Sequence, residues 1–359
     1  MAKQKCSEHR RAKRREKAKI ARAQASIKRR KKKQTEAEAL AKAAAPPSLI
    51  APRAQPTNYL LEVTSEAEIE AQKKRAADEL KYHWDLYSEL AFQRAQHAHE
   101  IRDALASSST PFEFRQWIRA VKFVYSLHPF CTLGSTRFDG GRFNVGSIDP
   151  QRYAKFGAIY VASDRDTALQ ELLGQVPPDA DRNLTPQQIV LSSRTSTAEV
   201  AVNGVLDYVL DLRVPNVLDP FVAIIKDFEI SSKVAEAAAA LGLDPPGVLT
   251  NSAIVLESFL SKEWRKSPTV YNIPANSQIF GSLLVEAGVQ GVIYPSKLTG
   301  KACIAIFPDA FAYSAARIEL DGPMPHPNVP TPIDCSNYSD CERMQDEVIA
   351  RPPRPRPAG

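Results

Sequence analysis

The sequence has little cysteine: five residues in 359, scattered at positions 6, 131, 303, 335 and 341. So few thiols, without paired spacings, exclude a small secreted scaffold held together by disulfide bonds. Long apolar runs are also missing, because no stretch of about 18 uncharged apolar residues occurs, so no membrane span is predicted. With 43% hydrophobic residues, we expect a soluble cytoplasmic protein with one large domain or two small ones.

The common phosphate-binding and nucleophile motifs are absent as well. The sequence contains neither a Walker pattern nor GxGxxG, and Gly140-Gly141 is too short to replace them. It contains no GxSxG, which argues against an ordinary serine hydrolase. Cys335 and Cys341, with His326 nearby, lack the paired spacings and the fourth ligand of a zinc site. We therefore predict no metal site.

Positive charge is confined to the N-terminal end. Residues 1–33 hold 16 Lys and Arg against Glu8 and Glu16, a net charge of +14, whereas the whole chain carries +6. The remainder is therefore acidic, at 6 − 14 = −8. A basic arm of this kind, here residues 1–45, can bind nucleic-acid phosphates without sequence specificity. No aromatic residue interrupts the basic run, so base stacking is not supported. A nucleic-acid-associated binding protein stays open as one alternative function.

Composition and periodicity divide the chain into four parts. Residues 1–60 are predicted to be a largely disordered basic arm and linker, and residues 61–125 a helical extension that opens with a capping box at Ser65. The extension includes a second amphipathic helix over Phe114–Tyr125. Strands with interspersed helices predict an α+β domain over 126–320. Residues 321–359, rich in proline, are predicted to be a disordered tail.

Within that domain the patterns predict a strand–helix–strand succession. A Gly-, Asp- and Asn-rich loop covers 134–146, and Asp164 can cap a helix. The predicted strands are 157–162, 188–191, 198–202, 208–212, 291–294 and 302–307. The predicted helices are 167–173, 229–241, 251–263 and 277–287.

Three short motifs carry the candidate functional residues. The first is the loop Arg137-Phe-Asp-Gly-Gly-Arg142-Phe143-Asn144. The second is Tyr160 in a buried strand, followed eleven residues later by Glu171 in a helix. The third is Tyr294-Pro295-Ser296, which ends a strand in a turn. Taken singly, each motif is equally compatible with a structural role.

In this order and spacing, the motifs resemble the RES domain over residues 120–315. The resemblance places the family's Arg, Tyr, Glu and Ser on Arg142, Tyr160, Glu171 and Ser296 as catalytic residues. Arg137, Asn144 and Tyr294 are then expected to contact NAD+. Arg137 is close enough to Arg142 that either can be the working guanidinium.

The resemblance implies a fold and an activity. It implies an ADP-ribosyltransferase-like mixed β core with surrounding helices, here preceded by the helical extension. Known members of the family act as bacterial toxins that degrade NAD+ by phosphorolysis or hydrolysis and are neutralised by an Xre-type antitoxin, so the resemblance implies such an activity and such a partner here. NAD+ would be the substrate rather than a cofactor, and inorganic phosphate would be a co-substrate if the reaction is phosphorolysis. Transfer of ADP-ribose to a macromolecule stays open, because the sequence does not identify the acceptor.

The residue types suit cleavage of the nicotinamide–ribose bond. Glu171 can bind the ribose hydroxyls and offset the positive charge of an oxocarbenium-like transition state. Arg142 offers a planar donor fork to a pyrophosphate or phosphate. Tyr160 can stack on the cationic nicotinamide ring. Ser296 can orient a ribose or phosphate oxygen.

Overall fold

A computed structural model describes residues 66–136, 139–173, 196–324 and 329–342. Apart from residues 66–69, all of these belong to one compact unit, Glu70–Gly359. The basic arm, the linker, Ser65, Arg137 and the strand predicted at 188–191 lie outside the described residues. Among the described helices, none is long and apolar enough to cross a membrane.

The described residues form eight α-helices and eight strands. The helices are α1 (Glu66–Gln96), α2 (Ala98–Ser107), α3 (Leu133–Thr136), α4 (Arg165–Leu173), α5 (Asp219–Ile225), α6 (Ser232–Leu241), α7 (Ser252–Phe259) and α8 (Asn276–Glu286). The strands are β1 (Thr110–Lys122), β2 (Gly140–Gly141), β3 (Asn144–Val145), β4 (Ile159–Ala162), β5 (Thr197–Asp211), β6 (Gly291–Pro295), β7 (Ala302–Ile306) and β8 (Arg317–Asp321).

Six strands form one mixed sheet in the order β1-β4-β7-β6-β5-β8. The pairing of β5 with β6 is parallel and the other pairings are antiparallel. Strand β1 also pairs with the long strand β5, so β1, β4, β7, β6 and β5 close into a ring. The predicted α+β class, with a mixed sheet and a helical N-terminal region, is confirmed.

Side chains alternate between the two faces of the central strands, so the sheet separates two clusters of buried residues. Ile159 and Val161 join one cluster of buried residues, together with Ile304 and Ile306 of β7. The residues between them point to the opposite face, because successive side chains of a strand alternate. That second face packs against the second cluster, to which α5, α7 and α8 contribute, and it carries Tyr160 and Tyr294. The sheet therefore places both tyrosines on one side.

Most of the predicted elements occur. Strand β4 and helix α4 lie where the patterns indicate, and Asp164 Oδ1 accepts a hydrogen bond of 3.2 Å from the Thr167 N–H, as the predicted cap requires. Helices α6, α7 and α8 and strands β6 and β7 also match their predictions. The two strands predicted at 198–202 and 208–212 are one continuous strand, β5. Helix α5 was not predicted.

The helix predicted over Phe114–Tyr125 is wrong, because residues 110–122 form strand β1. The spacing of Trp117, Val121 and Val124 fits a helix, but the aromatic and β-branched residues of this stretch also favour a strand. Ladder pairing with β5 decides between them. The strand bulges at Gln116, whose φ is 55°, and the Gln116 N–H donates to Asn203 Oδ1 at 2.8 Å.

The prediction of a disordered tail is wrong for residues 321–324 and 329–342. Ile333 pairs with Ile318 of β8, and both side chains are fully buried. Cys341 is also buried and joins the same cluster. The prolines of this segment do not prevent packing, because apolar residues between them cover one face of the sheet. Residues 343–359 lie outside the described part, and the proposed domain boundaries stay predictions.

Asp309, in a short 3₁₀ turn after β7, predicts a pH effect on stability. Burial and the nearby Glu342 raise the pKa of Asp309 to about 6, whereas the pKa of an aspartate in an unfolded chain is about 4. Asp309 therefore binds its proton more tightly in the folded than in the unfolded protein. As the pH rises from about 4 to about 6, the contribution of this group to the free energy of unfolding falls. Asp309→Asn, which can still accept from the Gly157 N–H, should be more stable than wild type at pH 7.

Urea denaturation of both proteins at acid and neutral pH measures this difference. The advantage of the variant should shrink toward the acid end of the window, where the wild-type carboxyl is protonated. A variant that is no more stable than wild type at pH 7 would show that the Asp309 carboxylate carries no such penalty.

Candidate active site

Glu171 and Ser296 form the first element of the site. Helix α4 carries Glu171, and Ser296 directly follows β6, so the sheet brings together residues 125 positions apart. The Ser296 hydroxyl donates to Glu171 Oε1 at 2.5 Å. The same Oγ accepts from the backbone N–H groups of Leu298 at 3.1 Å and Thr299 at 3.3 Å. The single proton of the hydroxyl is therefore directed at the carboxylate.

This geometry refines the expected role of Ser296. Its side chain is buried and its hydrogen-bonding groups are engaged, so in this arrangement it orients Glu171. Glu171 itself is only partly buried. Its second oxygen, Oε2, has no hydrogen bond within the described parts of the chain. The carboxylate is thus held at one oxygen and available at the other.

Tyr160 and Asn144 hold the Gly-Gly-Arg-Phe-Asn turn. The Tyr160 hydroxyl donates to Asn144 Oδ1 at 2.8 Å and accepts from the Phe143 N–H at 3.0 Å. Asn144, fully buried, also accepts from the Gly141 N–H and donates to the carbonyls of Ser135 and Phe156. Its amide has no donor or acceptor left for a substrate. Asn144 therefore shapes the turn, and a direct contact with NAD+ is not supported.

Removal of the Tyr160 hydroxyl should destabilise the protein. Tyr160→Phe leaves the Phe143 N–H without an acceptor and Asn144 Oδ1 without one of its donors, which should cost about 1–3 kcal/mol of unfolding free energy. Chemical denaturation measures this loss, with Tyr208→Phe, at a side chain 52% exposed, as the matched control. Equal stability of Tyr160→Phe and wild type would mean that the hydroxyl does not hold the turn.

Arg142 is anchored by backbone carbonyls rather than by a carboxylate. Its Nη1 donates to the Phe259 carbonyl at 3.2 Å and to the Ser261 carbonyl at 2.9 Å, at the end of α7. Its Cζ lies 5.7 Å from the centre of the Trp264 ring. Among the described residues, no carboxylate lies within ion-pair distance of it. The guanidinium charge is therefore positioned but not neutralised, which suits an anionic ligand.

Tyr294 lies beneath these groups. Its ring packs on Phe143 with centroids 4.9 Å apart, and the residue is buried. Burial raises the pKa of Tyr294 well above its usual range, and the charges of Cys303, Glu171 and Tyr160 raise it further, whereas Arg142 opposes them. Arg142, Tyr160 and Glu171 therefore all lie close enough to Tyr294 to act on it electrostatically. Tyr294 stays a neutral hydroxyl among them.

The structure thus brings together five of the residues that the motifs predict: Arg142, Tyr160, Glu171, Tyr294 and Ser296. Asn144 supports them from below. Arg137 lies outside the described residues, so the choice between Arg137 and Arg142 as the working guanidinium stays a prediction. Among the described candidates, the groups that remain open to a ligand are the Arg142 guanidinium and the Glu171 carboxylate.

Two supporting residues were not predicted. Arg119 is buried and donates to the carbonyls of Pro129, Cys131 and Tyr160. Burial lowers the pKa of Arg119 to about 10, so it stays cationic at neutral pH. Gln278 of α8, also buried, donates to the carbonyls of Asp139, Gly141 and Asn144. Arg119 between Ile118 and Ala120 is a weak sequence signal, and Gln278, which follows Asn276 and Ser277, has none.

A comparison with known protein families covers the first two of the three motifs. Residues 117–260 match the family model described as the RES domain, a stretch that contains Arg142, Tyr160 and Glu171. No curated protein matches the chain. A solved structure, the crystal structure of the M. tuberculosis MbcT-MbcA toxin-antitoxin complex, aligns with 68% of this chain and 97% of its own, at 14% identity and a TM-score of 0.34. Over residues 117–260, the chain is therefore similar to the RES domain.

Proposed function

We propose that this protein is an enzyme that cleaves the nicotinamide–ribose bond of NAD+. The observation that carries the proposal is the Glu171 carboxylate, oriented by Ser296 at 2.5 Å, within a RES domain and beside the un-neutralised Arg142. The RES resemblance suggests the substrate, and the electrostatic influence of both Glu171 and Arg142 on Tyr294 supports a site that uses a carboxylate and a guanidinium. A cognate antitoxin of the Xre type is the protein partner that this assignment implies.

The groups suit the reaction because NAD+ already carries a cationic leaving group. The C1′–N bond breaks with its electron pair passing to the nicotinamide nitrogen, so no acid is needed to protonate it. Positive charge develops on the ribose, and the free Oε2 of Glu171 offsets it and binds the ribose hydroxyls. Arg142 binds the pyrophosphate with the part of its fork that the carbonyls of Phe259 and Ser261 leave open.

The nucleophile that attacks the ribose determines which reaction the enzyme catalyses. If phosphate attacks C1′, its oxygen forms the new bond and the products are nicotinamide and ADP-ribose phosphorylated at that carbon. If water attacks, the products are nicotinamide, ADP-ribose and a proton. A macromolecular acceptor would make the enzyme a transferase.

Phosphorus NMR of NAD+ incubated with the full-length protein and inorganic phosphate distinguishes these cases. A new ribose phosphomonoester identifies phosphorolysis, and ADP-ribose with unchanged phosphate identifies hydrolysis. Loss of NAD+ only when protein or nucleic acid is added identifies a transferase. NAD+ that stays intact under all of these conditions would contradict the proposal.

Arg142→Lys should raise KM for NAD+ by roughly tenfold, because a single ammonium cannot reproduce the planar fork. Steady-state kinetics of nicotinamide release measures the effect. Arg115→Lys, at a side chain 79% exposed, is the matched control and should behave as wild type. A larger effect of Arg137→Lys than of Arg142→Lys would move the role to Arg137.

A further inference from the structure

A cavity lies beside the candidate active site. It has a volume of about 350 Å³ and is walled on one side by α1 and on the other by residues 258–279. Leu86, Leu90 and Tyr271 give it an apolar and aromatic lining, and Arg94 and Ser258 add polar groups. Such a volume and mixture are typical of a small-molecule pocket. Neither Glu171 nor Ser296 lines this cavity.

Helix α1 makes the cavity a property of this chain rather than of its RES domain. The helix ends at Gln96, and the family match begins at residue 117. It is fixed against the opposite wall by specific contacts: Trp84 Nε1 donates to the Tyr271 carbonyl at 3.1 Å, and the His83 and Tyr271 rings stack at 4.0 Å. A π-helical turn, Ser267–Tyr271, lies in the wall, and such turns are frequent at functional sites.

The cavity adjoins the proposed catalytic groups through Arg142. Ser261 and Trp264 line the cavity, and they are also residues that the Arg142 guanidinium contacts. Arg265 lies on the same indole ring, with its Cζ 4.5 Å from the ring centre. Arg142 and Arg265 both oppose the burial that raises the pKa of Tyr160. Two guanidinium groups therefore lie beside Trp264, at the edge of the cavity, and close enough to Tyr160 to act on it electrostatically.

Arg94 supplies a third cation inside the cavity. Its hydrogen bond within the described structure joins Nη2 to the Tyr153 hydroxyl at 3.5 Å, which is a weak contact. No carboxylate of the described residues forms an ion pair with it. The charge is thus available to a phosphate or to a ribose oxygen.

We propose that the cavity binds the adenosine half of NAD+, and that Arg142 and Arg265 bind the pyrophosphate that joins the two halves. This inference rests on the proposed function. The purine ring would lie on the apolar lining, and Arg94 and the serine hydroxyls would hold the ribose and its phosphate. A dinucleotide would then extend from Glu171 past Trp264 to α1, so the helical extension completes the substrate site.

Calorimetry with AMP as the probe tests the cavity without relying on catalysis. AMP should bind wild type more tightly than ribose 5-phosphate does, because only AMP carries the base. Arg94→Ala should weaken AMP binding by roughly tenfold, the effect of one lost charge-assisted hydrogen bond. Ser258→Trp, which fills the cavity, should abolish binding. Arg102→Ala changes an exposed side chain of α2 that does not line the cavity, and it should leave AMP binding unchanged.

Kinetics then connects the cavity to the reaction. Arg94→Ala should raise KM for NAD+ but not for nicotinamide mononucleotide, which lacks the adenosine half. Circular dichroism of each variant establishes that it is folded. AMP that fails to bind wild type, or binds it and Arg94→Ala equally, would overturn the proposal, as would equal KM changes for both substrates. A wild type that releases no nicotinamide would contradict the proposed function instead, and AMP binding would still report on the cavity.

Discussion

Glu171→Gln should lower the turnover of NAD+ by at least about a hundredfold, the usual loss when a group that stabilises transition-state charge is removed. The amide keeps the size of the side chain, and its oxygen can still accept from the Ser296 hydroxyl that now donates at 2.5 Å. What it loses is the negative charge facing the developing oxocarbenium ion. Because the ground-state contacts survive, kcat should fall far more than KM rises.

The control for this experiment lies on the same helix. Asp166→Asn removes one negative charge from α4 at an exposed position and should change kcat little. Thermal unfolding of both variants checks that each is folded. Activity of Glu171→Gln near the wild-type level would show that the carboxylate does not act on the reacting ribose.

Gly281→Ala should be strongly disruptive. Gly281 lies in α8, and a Cβ added there would overlap the Phe143 carbonyl oxygen and carbonyl carbon. Backbone atoms cannot move aside as a flexible side chain can, so we expect a loss of about 2–3 kcal/mol of unfolding free energy. The turn that carries Arg142 would also shift. A displacement of about 1 Å at such a position can cost about a hundredfold in rate.

Urea denaturation and steady-state kinetics measure the two effects of Gly281→Ala. The matched control is Gly247→Ala, where an added Cβ meets nothing within 4 Å, and it should leave both quantities nearly unchanged. If Gly281→Ala unfolds at the same urea concentration as wild type, close packing of α8 against the turn does not support the site.

The resemblance to the RES domain assigns the catalytic candidates, and the local position of each could be predicted because its motif is tied to a local structure. Asp164 caps a helix, so Glu171 two turns later has a fixed place on it, and a strand that ends at Pro295 places Ser296 at the carboxyl end of that strand. The hydrogen bond between the two side chains does not follow from either motif. It depends on β4, β7 and β6 being neighbours in the sheet, and pairings between distant strands leave no local signal.

Other features were missed because tertiary contacts override local pattern. Residues 110–122 have a spacing that suits a helix, yet they form a strand because β5 offers a continuous ladder. Arg119 is buried, and a charged side chain between apolar neighbours in the sequence does not predict this burial. The cavity beside α1 depends on a helix that packs against residues almost two hundred positions later, as the contact of Trp84 with the Tyr271 carbonyl shows.

Release of nicotinamide tests the central claim most directly. Purified full-length protein is incubated with NAD+, and free nicotinamide is followed by proton NMR beside the Glu171→Gln variant. The account predicts release by wild type and little or none by the variant, with the NAD+ signals declining in step. Intact NAD+ with the wild-type protein, or equal release by both proteins, would contradict it.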